Sequence, residues 1–108
     1  MAIPHAQSGE VIDVRPLGSA LPQARTSTLV KTKTLEIIRL VIPAGKDIPG
    51  HKAHGEITVQ CLEGQIVFTI GSTRRDLKAG QFLYLSGGET HSLHGIEDSS
   101  VLLTILLG

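Results

Sequence analysis

From Thr26 onward the chain is a succession of short runs rich in threonine, valine, leucine and isoleucine, each closed by a turn signal. This rhythm constrains the fold more than any other feature. The runs are Thr28 to Lys31, Thr34 to Ile42, Ile57 to Leu62, Gln65 to Ile70, Arg74 to Leu77, Gln81 to Leu85 and Ser100 to Leu107. Between them stand Pro43-Ala44-Gly45, Glu63-Gly64, Gly71-Ser72, Lys78-Ala79-Gly80 and Ser86-Gly87-Gly88. Nothing after residue 26 has the periodicity of a long amphipathic helix. Short strands at turn-spaced intervals predict an all-β sandwich or closed barrel. Upstream, residues 1–10 read as a loose arm, Val11 to Arg15 as a first strand, and Pro16 to Arg25 as a loop with room for one helical turn. The expected organisation is therefore an arm with a first strand over 1–25 and one β-barrel domain over 26–108.

Alternate side chains of a strand face opposite ways, so phase sorts residues between core and surface. Ile57, Val59 and Cys61 share one face, predicted to be the core; Glu56, Thr58 and Gln60 share the other. Late in the chain Val101, Leu103, Ile105 and Leu107 lie on one face, with Leu102 and Leu106 flanking Thr104 on the other. A strand apolar on both faces is covered on both, or lies at an interface between copies. Ten basic residues balance ten acidic ones, so net charge does not oppose self-association. A homodimer is expected.

The same balance leaves no basic stripe and argues against nucleic acid as partner. Cys61 is the only cysteine and reads as a small buried hydrophobe rather than a reactive thiol. The first ten residues lack the order of a signal peptide, and the most apolar run is far too short to cross a bilayer. The expectation is a soluble cytoplasmic chain with no membrane partner.

Four of the five histidines fall in two glycine-framed clusters. The first runs from Gly45 to Glu56 and carries His51 and His54; the second follows Gly80 and carries His91 and His94. Neutral imidazole is the commonest protein ligand for divalent transition metals. Each histidine also has a plainer reading. His51 could cap a loop, and His91 could be satisfied by a carbonyl at a strand entry. His94, three residues beyond His91, faces the opposite way in a strand and reads as a surface or interface residue. His5 lies solvated in the arm. Phe68, Phe82 and Tyr84 are expected in the core or pocket wall.

The two clusters resemble the two sequence motifs of the cupin superfamily. Gly45, five residues and His51 fit the start of the first motif, and Gly64 fits its closing glycine. Gly80, Gly88 and His91 fit the second at the right spacings; Ser86 stands where proline is usual and Gly95 where asparagine would be. The resemblance covers roughly residues 35–107. It implies a cupin-type jelly-roll barrel, two packed sheets around a pocket. In metal-binding members two histidines and a glutamate of the first motif and the histidine of the second hold the ion.

His51 and His91 carry over directly. The second-histidine position is Ala53, with His54 one residue later; the glutamate position is Ile57, with Glu56 one residue earlier. Two accounts stay open. A tight turn at Gly55 could return His54 and Glu56 to the site. Alternatively, Ile57 fills the ligand position with hydrocarbon and Glu56 faces solvent, which its phase with Thr58 and Gln60 favours. The candidate metal set is His51, His54, His91 and Glu56. Such a set suits Zn²⁺, Fe²⁺, Ni²⁺, Cu²⁺ or Mn²⁺ beside a small-molecule ligand, and the resemblance implies dioxygenase or isomerase chemistry. The competing reading is a non-catalytic, metal-poor barrel that binds a small ligand or has a degraded site. No Gly-x-Ser-x-Gly elbow is present to support a hydrolase.

Overall fold

A computed structural model describes residues 5–107 apart from Ala53, and apart from the side chains of His51 and Lys52. Among the described residues the chain forms nine strands and one 3-10 turn, Gly18–Gln23. The strands are β1 (Ser27–Lys31), β2 (Leu35–Ile42), β3 (Asp47–Lys52), β4 (Ile57–Glu63), β5 (Gln65–Ile70), β6 (Thr73–Lys78), β7 (Phe82–Leu85), β8 (Thr90–Gly95) and β9 (Ser99–Leu106). They build a five-stranded sheet ordered β1-β2-β9-β4-β7 and a four-stranded sheet ordered β3-β8-β5-β6. All pairings are antiparallel, so the fold is a jelly roll.

Phase places the core as expected. Ile57, Val59 and Cys61 on β4 are at most 2% exposed, and they pack with Ile42, Val101 and Leu85 of their own sheet against Ile66, Phe68, Leu77 and Leu93 of the other. Apolar burial of this kind is the main force holding the two sheets together. Burial pushes the Cys61 thiol pKa up, and its sulfur lies against the Glu63 and Gly64 carbonyls, as suits an inert core residue.

One end of the barrel closes at the β4–β5 hairpin. Gly64 adopts φ +82°, and a Cβ there would lie 2.3 Å from both the Asp98 carbonyl oxygen and Ser99 Oγ. The buried Ser99 hydroxyl is hydrogen-bonded to Gln65 N–H and to the Gln65 and Glu97 carbonyls, so a polar group can sit at the floor without cost.

The amino-terminal segment departs from expectation. Val11 to Arg15 is not a strand; it crosses as irregular chain, with Val11 97% exposed. Ile12 and Val14 are half-buried, while Val11, Asp13 and Arg15 are exposed, and no ladder pairs the segment. Side chains of the barrel latch the segment instead. Glu63 accepts the Leu17 and Gly18 amides at 2.9 and 3.1 Å, and buried Arg39 donates Nη2 to the Arg15 carbonyl at 2.9 Å. The 3-10 turn then seats Leu21 in an apolar position. No helix among the described residues is long and apolar enough to cross a membrane.

Candidate functional site

Asp47–Lys52 of the first histidine cluster, with His51, is a strand, β3, although Pro49-Gly50 disguises it in the sequence. Ile48 pairs with Leu93, and His51 pairs with His91, so Pro49 and Gly50 together oppose Ser92 alone. That is a β-bulge, and it changes the parity of the strand. In an unbroken strand, positions 48 and 51 would register with opposite faces of β8. With the bulge, both register with its buried residues, Leu93 and His91. The two motif histidines, forty residues apart, thus become direct neighbours across one ladder. The side chain of His51 lies outside the described residues.

His91 is 3% exposed. Its ring stacks on buried Phe68, with centroids 5.3 Å apart and planes 12° from parallel. Its Nδ1 lies 3.1 Å from the Glu89 carbonyl oxygen. A carbonyl can only accept, so Nδ1 carries the proton and the lone pair of the neutral ring resides on Nε2. A backbone partner of this kind fixes tautomer and ring orientation in many histidines that bind metals.

The loops of the two clusters touch at the mouth of the barrel. A Cβ on Gly87 would lie 2.4 Å from the His54 carbonyl oxygen, and one on Gly55 would lie 2.0 Å from the Leu106 carbonyl oxygen. Glycine at both positions lets loop 54–56 fit between β9 and loop 86–89.

Other candidates lie elsewhere. His54 is exposed on the mouth loop. Glu56 is exposed too, and its carboxylate accepts the Tyr84 hydroxyl on the outer surface of the five-stranded sheet. That contact raises the phenol pKa of Tyr84. The turn at Gly55 therefore does not bring Glu56 inward; Ile57, 2% exposed, occupies the inner position beside Leu85 and Ile105. Among the described residues, no three His, Cys, Asp or Glu side chains form a group that could hold a metal, so His54, Glu56 and His91 do not converge as one. His94 points outward, as its phase requires, with Nδ1 2.6 Å from Asp47 Oδ1. Phe82 and Tyr84 are 61% and 57% exposed; of the three aromatics only Phe68 is in the core. The β4–β7 register puts Phe82 opposite Gln60 and Tyr84 opposite Thr58, on the polar face of β4, so both aromatics lie outside.

Glu36 was not singled out from the sequence. The ladders set Lys31, Glu36, Ile105, Ile57 and Leu85 in one cross-strand row. Glu36 and Lys31 form an ion pair there, Nζ to Oε1 3.3 Å. The signal available in the sequence was phase: Glu36 alternates with Ile38, Leu40 and Ile42, of which Ile42 is fully buried.

Comparison with known proteins bears on this arrangement. The family model described as "Cupin domain" matches residues 38–106. Among curated proteins no match was found. A cupin superfamily protein from Desulfitobacterium hafniense DCB-2 superposes with a TM-score of 0.79 at 20% identity, covering 95% of this chain and 100% of that one. A conserved protein of unknown function from Streptococcus pyogenes gives 0.77 at 23% identity, covering 100% and 96%. The DMSP lyase from Ruegeria pomeroyi DSS-3 gives 0.68 at 20% identity, covering 88% of this chain and 52% of that one. At these identities the likeness is one of fold.

Proposed function

The chain belongs to the cupin family, and on that premise we propose that its barrel mouth binds a divalent transition metal through His51 and His91, together with a small organic ligand. The observation that carries this reading is the setting of His91: buried, stacked on Phe68, and held with Nδ1 against the Glu89 carbonyl. A neutral imidazole that donates from Nδ1 has its lone pair on Nε2, the atom through which such a ring binds a metal. His51 adds the second imidazole from the facing register position, and exposed His54 on the adjoining loop is the candidate third. An imidazole-dominated set suits Zn²⁺, Fe²⁺, Ni²⁺, Cu²⁺ or Mn²⁺. When bound, such an ion polarises an oxygen of the ligand. Ile57, Leu85 and Phe68 are buried hydrocarbon on the inner side of the sheets and would help exclude water from it. Dioxygenase or isomerase activity is the enzymatic form of this proposal.

A second reading has its own support. Ile57 stands where a carboxylate ligand would, and Glu56 is engaged outside by Tyr84. A barrel lacking that carboxylate could bind a small ligand without metal. Metal analysis of protein purified without chelator separates the two. The first reading expects near-stoichiometric metal, lost in the His51→Ala, His91→Ala double variant. A wild-type chain that stays metal-free after reconstitution would reject it and leave the second.

We also propose that the chain pairs with a second copy through the outer face of the five-stranded sheet, where Phe82, Tyr84 and Leu106 are exposed together. Light scattering should give twice 11.5 kDa, and Phe82→Glu should return the monomer mass. A monomeric wild type contradicts it.

A further inference from the structure

We propose that the outer face of the four-stranded sheet carries a small-molecule site of its own, separate from the barrel mouth: a basin that takes a short amino acid as its zwitterion, with the carboxylate at Arg74 and the ammonium at Asp47. The basin follows from strand phase. His91 and Leu93 of β8 are buried in the barrel, so Ser92 and His94 face outward. The ladders continue this face across the sheet: Asp47 lies opposite His94, Ser92 opposite Thr69, and Thr69 opposite Arg74. Ser92 and Thr69 are short, and at the β3 bulge Gly50 has no side chain, whereas Arg74 and His94 are long. Short residues flanked by long ones leave a hollow of about 380 Å³ in the sheet surface, lined by all five and by Asp47. That volume is within the ~300–1,000 Å³ of small-molecule sites.

The charges of the basin are divided between its two sides. Arg74 is exposed and, among the described residues, has no ion pair and no side-chain hydrogen bond. Its guanidinium is always charged and presents a planar fork of N–H donors that matches a carboxylate. Across the hollow, His94 donates from Nδ1 to Asp47 Oδ1 at 2.6 Å, and Asp47 keeps 76% of its side chain exposed. The imidazole thus holds the carboxylate at the edge of the hollow, with Oδ2 open to a donor. Between the two charges lie the hydroxyls of half-buried Ser92 and Thr69, neither of which makes a protein hydrogen bond among the described residues. Each can donate to a ligand oxygen.

This division selects the ligand. Arg74 and Asp47 stand on β6 and β3, the two edges of the sheet. Three strand spacings of ~4.8 Å separate them, about 14 Å between backbones. The arginine side chain spans part of that gap, and a molecule a few bonds long spans the rest. A lone anion gains Arg74 but meets Asp47; a lone cation gains Asp47 but meets Arg74. A zwitterion satisfies both sides, and its charges cancel at a distance, so it enters without net repulsion.

The probe is 4-aminobutyrate, beside butyrate and butylamine, which keep one charge each, titrated into the full chain and followed by amide NMR. Exposed charge contacts are individually weak, so the expected affinity is on the order of millimolar. 4-Aminobutyrate should shift the amides of Thr69, Arg74, Ser92 and His94 and bind about three- to fivefold more tightly than either companion, the scale of one exposed ion pair. Arg74→Gln should reduce it to the level of butylamine and Asp47→Asn to the level of butyrate, both with unchanged circular dichroism because the two residues are exposed. Lys78→Gln, on the same strand as Arg74 but outside the hollow, should bind like wild type. No saturable shift at tens of millimolar, equal binding of butyrate or butylamine, an unaffected Arg74→Gln or Asp47→Asn variant, an equal loss in Lys78→Gln, or shifts confined to the barrel mouth would each overturn the proposal.

Discussion

Replacing Ile57 with glutamate puts a carboxylate at the inner position that hydrocarbon now fills, and the energetics of that change can be worked from its surroundings. Ile57 is 2% exposed between Leu85 and Ile105. Losing its burial costs about 1.5–3 kcal/mol. Placing a carboxyl there without a partner adds about 1–3 kcal/mol if it takes up a proton, and more if it stays ionised. The metal-free variant should therefore be about 3–6 kcal/mol less stable than wild type, a large share of the ~5–15 kcal/mol typical of a domain. Burial raises the pKa of the new carboxyl in the folded state, so the folded chain binds more protons and the deficit shrinks as pH falls. If His51 and His91 hold a metal beside this position, the ion would be the missing partner. Free metal at a thousand times its dissociation constant returns about 4 kcal/mol. Urea unfolding followed by circular dichroism, with chelator and with Zn²⁺, measures both effects. Ile57→Gln is the control, expected to lose similar stability with no pH dependence and to gain less from metal than the glutamate variant, because only the imidazoles would hold the ion there. An Ile57→Glu chain as stable as wild type in chelator, or one that zinc does not restore, would refute the assignment of this position.

Three further outcomes follow from contacts elsewhere. Burial pushes the Glu63 carboxyl pKa up, but the Ser100 hydroxyl, the Leu17 and Gly18 amides and the charge of Arg39 outweigh it, leaving it below the ordinary value. Stability from a lowered acid is present above its unfolded pKa and lost as pH falls through the folded one, so the amino-terminal segment should loosen at acid pH. Glu63→Ala should loosen it at neutral pH, seen as faster limited proteolysis within residues 5–20. Gly64→Ala should cost about 1–3 kcal/mol or more, since its φ of +82° is strained for any side chain and the Asp98 carbonyl blocks a Cβ; thermal melting checks this. Glu56→Gln should lower the Tyr84 phenol pKa toward its usual range, read by ultraviolet titration, and leave metal content unchanged, because the contact is on the outer surface.

Much of this fold was legible because strand phase and turn residues are local signals. β2, β4, β5, β6, β7 and β9 lie within a residue or two of the runs read from sequence, and the buried face of β4 follows from alternation alone. What escaped was non-local. Val11 to Arg15 has the composition of a strand but no ladder partner; Glu63 and Arg39, more than twenty residues away, decide its path. β3 was hidden because Pro49-Gly50 reads as a turn, yet there it forms a bulge, which only pairing with β8 can reveal. The site divides the same way. The outward phase of His94 and of Glu56 was readable, whereas the pairing of His51 with His91 needed the bulge. The place of Glu36 in a row with Lys31, Ile105 and Ile57 needed three ladders read together.

The central claim is that the cupin barrel of this chain keeps a metal site built on imidazoles after losing its inner carboxylate. The most direct measurement is inductively coupled plasma mass spectrometry on protein purified without chelator, wild type beside the His51→Ala, His91→Ala double variant. The account predicts close to one transition-metal ion per chain in the wild type and background levels in the variant, with Glu56→Gln unchanged. A wild type at background even after reconstitution, or a double variant that retains its metal, would contradict it.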